Sequence, residues 1–146
     1  MDIVRIQDVP IDVNEGIAAI IDERAGGEAI FLGTVRNVFE GRASRGLFYE
    51  AYRDLAEKEM KRIEEELKRE FDVLHVVMVH RIGELALGEI AVMVAVSAAH
   101  RHQAIRACEA GIDRIKSRVP IWKKERWADG KTAWHDDPEA GAGQMR

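Results

Sequence analysis

Seven consecutive apolar residues, Ile90 to Val96, constrain this chain more than any other feature. A run of that length and composition reads as a strand buried in a sheet, because a strand with one wet face would alternate. A second apolar stretch, Val73 to Ile82, precedes it, with only Gly83 to Gly88 between them. So short a connection implies an antiparallel pair. Helix-period segments flank the pair, with Met60, Ile63, Leu67 and Phe71 before it and Ile105, Cys108, Ile112 and Ile115 after it. Each set forms an apolar stripe along one side of a helix.

The remaining elements follow from local signals. Ile3 to Ile6 reads as a short strand, and Asp12-Val-Asn-Glu15 as a capping box opening a helix with Ile17, Ile20 and Ile21 on one face, stopped by Gly26-Gly27. Ala29 to Arg36 and Gly46 to Tyr52 read as two strands paired with each other. The polar stretch between them, Asn37 to Arg45, is expected to be a mobile surface loop able to close over a ligand. Asp54-Leu-Ala-Glu57 is a second capping box, and Pro120 ends the last helix. The expectation is an α+β fold, an antiparallel sheet with three main helices, as a single domain over residues 1–135. Residues 136–146 are expected to form a loosely ordered tail, with Trp134 docking the segment just before it.

Composition narrows the function classes. A chain of 146 residues buries roughly 70% of its unfolded surface as one domain and needs no disulfide staples. With 47% hydrophobic and 33% charged residues it is ordinary globular material. A formal net charge of −4 argues against whole-surface nucleic-acid binding. The first residues lack the basic and apolar regions of a secretory signal, and no apolar run reaches membrane-spanning length, so a cytoplasmic protein is expected. The single cysteine, which cannot form an internal disulfide, fits a reducing compartment.

The chemistry concentrates between Ser97 and Glu125. His100 and Arg101 stand where strand passes into helix. A helix start presents unpaired N–H groups and the positive end of the helix dipole, so an imidazole and a guanidinium there form an anion site. Farther on, Lys116, Arg118, Lys123, Lys124 and Arg126 fall within eleven residues of a net-acidic chain. Local basicity against that background points to an anionic ligand. The same run also fits a solvated helix end, where cations complement the dipole; Trp122 directly before Lys123-Lys124-Glu125 gives it the shape of a binding edge. Arg36, at the end of an apolar strand, has the placement of a functional group or of a plain surface arginine. His100 and His102 fall on different sides of a helix with no carboxylate or thiolate at ligand spacing, so no metal is expected. Cys108 lies on the apolar stripe and reads as a core residue, not a sulfur carrier.

Four ordered blocks carry a family resemblance: Phe31-Leu-Gly33-Thr-Val-Arg36-Asn37, His80-Arg81-Ile82-Gly83-Glu84-Leu85, Ser97-Ala-Ala-His100-Arg101, and Lys116-Ser-Arg118-Val-Pro120-Ile-Trp122-Lys123-Lys124-Glu125. Together they resemble the large, catalytic subunit of molybdopterin synthase over about residues 3 to 135. The match is weakest in the loop from Asn37 to Arg45 and in the tail, and Thr34 stands where many members carry a lysine. The resemblance implies an α/β-hammerhead-like fold and a homodimer within a heterotetramer. Each large subunit receives a small ubiquitin-like sulfur carrier whose C-terminal Gly-Gly ends in a thiocarboxylate. Two sulfurs pass to cyclic pyranopterin monophosphate, forming the dithiolene of molybdopterin, with no cofactor, metal, nucleic acid or membrane involved. On the matching positions it implies Lys116 and Lys123 as catalytic residues and Phe31 as lining of the donor-tail channel. The implied substrate-binding set is Thr34, Val35, Arg36, His100, Arg101, Lys116, Lys123, Lys124 and Glu125.

Two other readings remain open on the residues alone, a non-catalytic anion- or RNA-binding module and a partner subunit that only captures an acidic tail. Helix geometry adds a constraint. An unbroken helix from His100 to Lys116 separates them by roughly 24 Å, too far for one small pterin, so the expected site is shared across a two-fold dimer.

Overall fold

The structure, a computed structural model, describes residues 1–135; the expected tail, 136–146, lies outside the described residues. In chain order the elements are β1 (Ile3–Gln7), α1 (Val13–Ile20), β2 (Gly27–Thr34), β3 (Val38–Phe39), β4 (Arg42–Ala51) and α2 (Arg53–Phe71). They continue with β5 (His75–Arg81), β6 (Gly83–Ala86), β7 (Ile90–Ala98), α3 (Arg101–Arg118), β8 (Ile121–Trp127) and β9 (Thr132–His135). The α+β class with three helices holds. One sheet has the order β1-β5-β7-β2, and the other is built on β3-β4-β8-β9 with β6 also against β4. Pairing is antiparallel except between β1 and β5, which run parallel.

The apolar runs are explained by burial on both sides of the first sheet. Val77, Val79, Met93 and Ala95 face Ile20 of α1, whereas Val76, Met78, Val92, Val94 and Val96 pack with Met60, Ile63 and Leu67 of α2 and Ile112 and Ile115 of α3. Side chains alternate along a strand, so one unbroken apolar sequence serves two cores.

Several local expectations are corrected. β2 pairs with β7, not with β4. Strand β4 instead enters the second sheet between β6 and β8. It does so at Gly46, whose φ is 150° and where a Cβ would lie 2.4 Å from the Leu85 carbonyl oxygen. The stretch from Asn37 to Arg45 is a hairpin, not an open loop: β3 pairs with the start of β4, and Glu40 (φ 50°) and Gly41 (φ 79°) make the turn. The Ser44 N–H donates to the Asn37 carbonyl at 2.8 Å and closes it.

Helix α1 ends at Ile20, and Ile21 is exposed instead of sharing its buried face. Gly26-Gly27 serves a different purpose: a Cβ on Gly27 would sit 2.8 Å from Cα of Arg101, so glycine lets β2 begin against the start of α3. Asp12 caps α1, accepting from the N–H groups of Asn14 and Glu15 at 3.0 and 3.3 Å. The second capping box does not form. The N-cap of α2 is Tyr52, without a side-chain cap bond, and Glu57 accepts from the Ile6 N–H of the sheet edge at 2.9 Å. Ile105 is 57% exposed, because the buried stripe of α3 runs through Ala104, Ala107, Cys108, Gly111, Ile112 and Ile115.

Candidate active site

A cavity of about 320 Å³ opens where the two sheets and α3 meet. Its walls are Phe31, Leu32, Gly33 and Thr34 of β2 with Arg36 beyond it, Val38 and Phe39 of β3, and Leu47 and Tyr49 of β4. Ala91 and Val92 of β7, Lys116 of α3 and Lys123 and Glu125 of β8 complete them. Strand alternation selects these residues. In the β4–β8 ladder Tyr49 stands opposite Lys123 and Leu47 opposite Glu125, so all four share one face. Phe48 stands opposite Lys124 on the other face. There the Lys124 ammonium lies 5.8 Å from the Phe48 ring centroid and 5.4 Å from that of Trp134.

The structure therefore divides the residues singled out from sequence. It brings Phe31, Thr34, Arg36, Lys116, Lys123 and Glu125 together around one cavity. Val35, between Thr34 and Arg36, turns inward and is buried with Leu47, Leu85 and Ala91. Lys124 lies on the opposite face of β8. His100 and Arg101 are exposed at the far end of α3, where Gln103 Oε1 accepts from the His100 N–H at 3.3 Å.

The basic run is split as well. Arg118 donates from Nε to Glu59 at 2.7 Å and from its two terminal nitrogens to Glu66, both at 2.8 Å, tying α3 to α2. The hydrogen bond from Arg118, ahead of every other influence, holds the Glu66 carboxyl below its ordinary range. Arg126 pairs with Glu84 at 2.9 Å. These two arginines hold the fold, while Lys116 and Lys123 face the cavity.

The cavity combines three cations with a carboxylate, Glu125, that is only 2% exposed. A carboxylate that deep is tolerable only beside donors or cations, so the site is built to hold charge in fixed positions. Behind the wall, His80 is buried edge-on against Tyr49, ring centroids 4.9 Å apart, and its Nδ1–H donates to the Arg81 carbonyl at 2.8 Å. Phe31 also borders a second, apolar groove with Ala29, Ile30, Ile105, Cys108 and Ile112. Phe31 thus stands between that groove and the charged cavity. Cys108 is buried, its thiol donating to the Val94 carbonyl at 3.5 Å, and desolvation pushes its pKa up to about 11. A thiol so held is protonated and a poor nucleophile at neutral pH.

Sequence reasoning missed Phe39, Leu47 and Tyr49. Leu47 and Tyr49 were signalled by their two-residue spacing on one face of an apolar strand. Phe39 was signalled only as an aromatic within a polar stretch.

The model of the family described as MoaE protein matches residues 6–118. A protein of Pyrococcus abyssi named molybdopterin synthase catalytic subunit is 43% identical over 120 residues, 82% of this chain and 81% of that protein. A protein of the same name from Drosophila persimilis is 40% identical over 142 residues, 96% of this chain. The chain spans about two fifths of the length of the Drosophila relatives it matches, 39% in that case. The crystal structure of molybdopterin synthase from Staphylococcus aureus superposes with a TM-score of 0.82 at 42% identity, covering 89% of this chain and 96% of that one.

Proposed function

The chain belongs to the MoaE protein family, and from that premise we propose that it is the catalytic subunit of a molybdopterin synthase. It transfers two sulfurs from the C-terminal thiocarboxylate of a small ubiquitin-like carrier to cyclic pyranopterin monophosphate. The observation that carries this reading is the convergence of Arg36, Lys116, Lys123 and Glu125 on one cavity with Phe31 at its border.

Each ligand is an anion, and the cavity is cationic. A guanidinium fork suits a phosphate because it bonds two oxygens at once, which assigns that role to Arg36. The carrier tail reaches the cavity past Phe31. The thiocarboxylate sulfur, as nucleophile, forms a C–S bond to a substrate carbon and the C–O bond at that carbon breaks, its oxygen leaving as water or as a freed phosphate oxygen. The carrier's terminal carbonyl thereby becomes a thioester. Water cleaves it, leaving sulfur on the substrate and a carboxylate on the carrier. Negative charge develops on the carbonyl oxygen during that cleavage, and fixed ammonium groups at Lys116 and Lys123 stabilise it without reorganising. Glu125, on the same face of β8 as Lys123, orients the lysine or the pterin ring. Cys108 carries no sulfur.

His100 and Arg101 enter this scheme from a second subunit. Helix α3 is unbroken from Arg101 to Arg118, so its start lies roughly 24 Å from Lys116. A homodimer that sets the helix start of one subunit beside the cavity of the other supplies both halves of the site twice. With one carrier per subunit the assembly is a heterotetramer. No helix among the described residues is long and apolar enough to cross a membrane, and the proposed location is the cytoplasm. An RNA-binding role is disfavoured by Arg118 and Arg126, which are committed to carboxylates.

The test is reconstitution with thiocarboxylated carrier and cyclic pyranopterin monophosphate, following the dithiolene product by mass spectrometry. Product in stoichiometric ratio to consumed thiocarboxylate supports the proposal. Absence of product with a carrier that is competent with another synthase overturns it.

A further inference from the structure

We propose that Phe39, on the β3–β4 hairpin, is a positioning residue for Lys123, holding its ammonium group against the face of the phenyl ring. This rests on the sulfur-transfer reading of the cavity and adds a residue to it. The Lys123 Nζ lies 5.4 Å from the Phe39 ring centroid, inside the range over which the negative face of an aromatic ring attracts a cation.

The ring is itself held. Phe39 leans on Trp127, with centroids 6.3 Å apart and planes tilted by 46°. Trp127 is 7% exposed, and the Arg42 guanidinium covers it at 4.1 Å from its centroid. Arg42 is fixed in turn by an ion pair with Asp129 at 2.8 Å. The hairpin register sets Phe39 opposite Arg42, so the turn at Glu40-Gly41 delivers both ends of this stack at once.

The ring acts alongside the other groups that meet Lys123: it attracts the ammonium without adding a negative charge to the cavity that the anionic substrate enters. Among the described residues, the other ionisable groups lining the cavity with Lys123 are Lys116 from α3, Arg36 beyond β2, Glu125 from β8 and Tyr49 from β4. The backbone of β9 pairs with Lys123 at position 135. These surroundings stay constant when only the Phe39 ring is changed.

The experiment replaces Phe39 with mono-, di- and trifluorinated phenylalanine, which drains the ring face while nearly preserving its shape, and compares Phe39→Leu and Phe39→Tyr. Two quantities are read on the full chain with its carrier. The first is the pH dependence of acetic anhydride labelling at Lys123, and the second is the kcat and KM of sulfur transfer. The ring favours the charged lysine, so the labelling midpoint of Lys123 should fall stepwise with fluorination. Phe39→Leu should lower kcat by about 3- to 10-fold with KM nearly unchanged, and Phe39→Tyr should stay within about twofold of the parent. A labelling midpoint indifferent to fluorination overturns the proposal, even if Phe39→Leu loosens the hairpin. If the parent protein transfers no sulfur, the functional reading fails, and Lys123 labelling alone decides the ring's role.

Discussion

Lys123 and Lys124 are neighbours in β8 whose side chains serve opposite faces of the second sheet. Lys123 enters the charged cavity beside Phe39, and Lys124 lies outside it over Phe48 and Trp134. Two cations that look equivalent in the sequence are thereby given different surroundings.

The first prediction separates them. Lys123→Ala and Lys116→Ala should each lower sulfur transfer by tenfold or more, at least about 1.4 kcal/mol of barrier, with melting temperatures nearly unchanged. Lys124→Ala should lose less than about threefold, because its ammonium does not reach the cavity. Steady-state assays with reconstituted carrier decide this; a Lys124→Ala loss equal to that of Lys123→Ala would show that the sheet face is not the controlling factor.

Cys108 supplies the second. Its burial and raised pKa, about 11, leave the thiol protonated at neutral pH. Cys108→Ala should retain most activity and lose on the order of 1 kcal/mol of stability from the small cavity created. In the native protein it should resist alkylation at pH 7 and react once unfolded. A persulfide on Cys108 during turnover contradicts this role.

A third prediction concerns Glu64, which is 1% exposed on α2, paired with Lys61 at 2.6 Å. Desolvation first, then the hydrogen bond shared with Asp2, raises its pKa above the ordinary value of 4.5. Burial alone would raise Asp2 as well, but hydrogen bonds from Glu64, Lys68 and the Val76 N–H lower it. A raised carboxyl binds its proton more tightly folded than unfolded, so this contribution is fully present below pH 4.5 and fades as pH rises through the folded pKa. Glu64→Gln should remove that loss. Urea unfolding from pH 4.5 up through neutral pH should show a flatter stability profile for the variant than for the parent; parallel profiles would mean that the Glu64 carboxyl is not the source of the loss.

What could be read from sequence, and what could not, follows from the range of the forces. Ile90 to Val96 was legible because burial on two faces leaves an unbroken apolar run. The partner of β2 was not, because β4 is nearer in sequence while β7 is nearer in space, and only tertiary packing decides between them. The hairpin at Glu40-Gly41 was hidden because glutamate at positive φ is not a turn signature in the way that Asn-Gly is. In the cavity, family resemblance located Arg36, Lys116, Lys123 and Glu125, yet Phe39 and Tyr49 emerged only from strand register. Trp134, expected to dock, does so only in part: it is 42% exposed beneath the Lys124 ammonium.

The last prediction follows from the length of α3. The helix is continuous over 18 residues, with His100 capping its start and Lys116 in its last turn. At about 1.5 Å per residue the two lie roughly 24 Å apart, so no single pterin touches both within one chain. If both halves serve one substrate, the start of α3 must be contributed by a dimer mate. Lys116→Ala and Arg101→Ala homodimers should then each be deficient. After subunit exchange, a mixed dimer carries one site with both defects and one with neither, so activity should return to about half the parent value per mixed dimer. Exchange is verified independently by mass-tagged subunits and native mass spectrometry. Recovery of activity in proportion to mixed dimer establishes the shared site, and complete exchange without recovery assigns His100 and Arg101 a role outside the cavity.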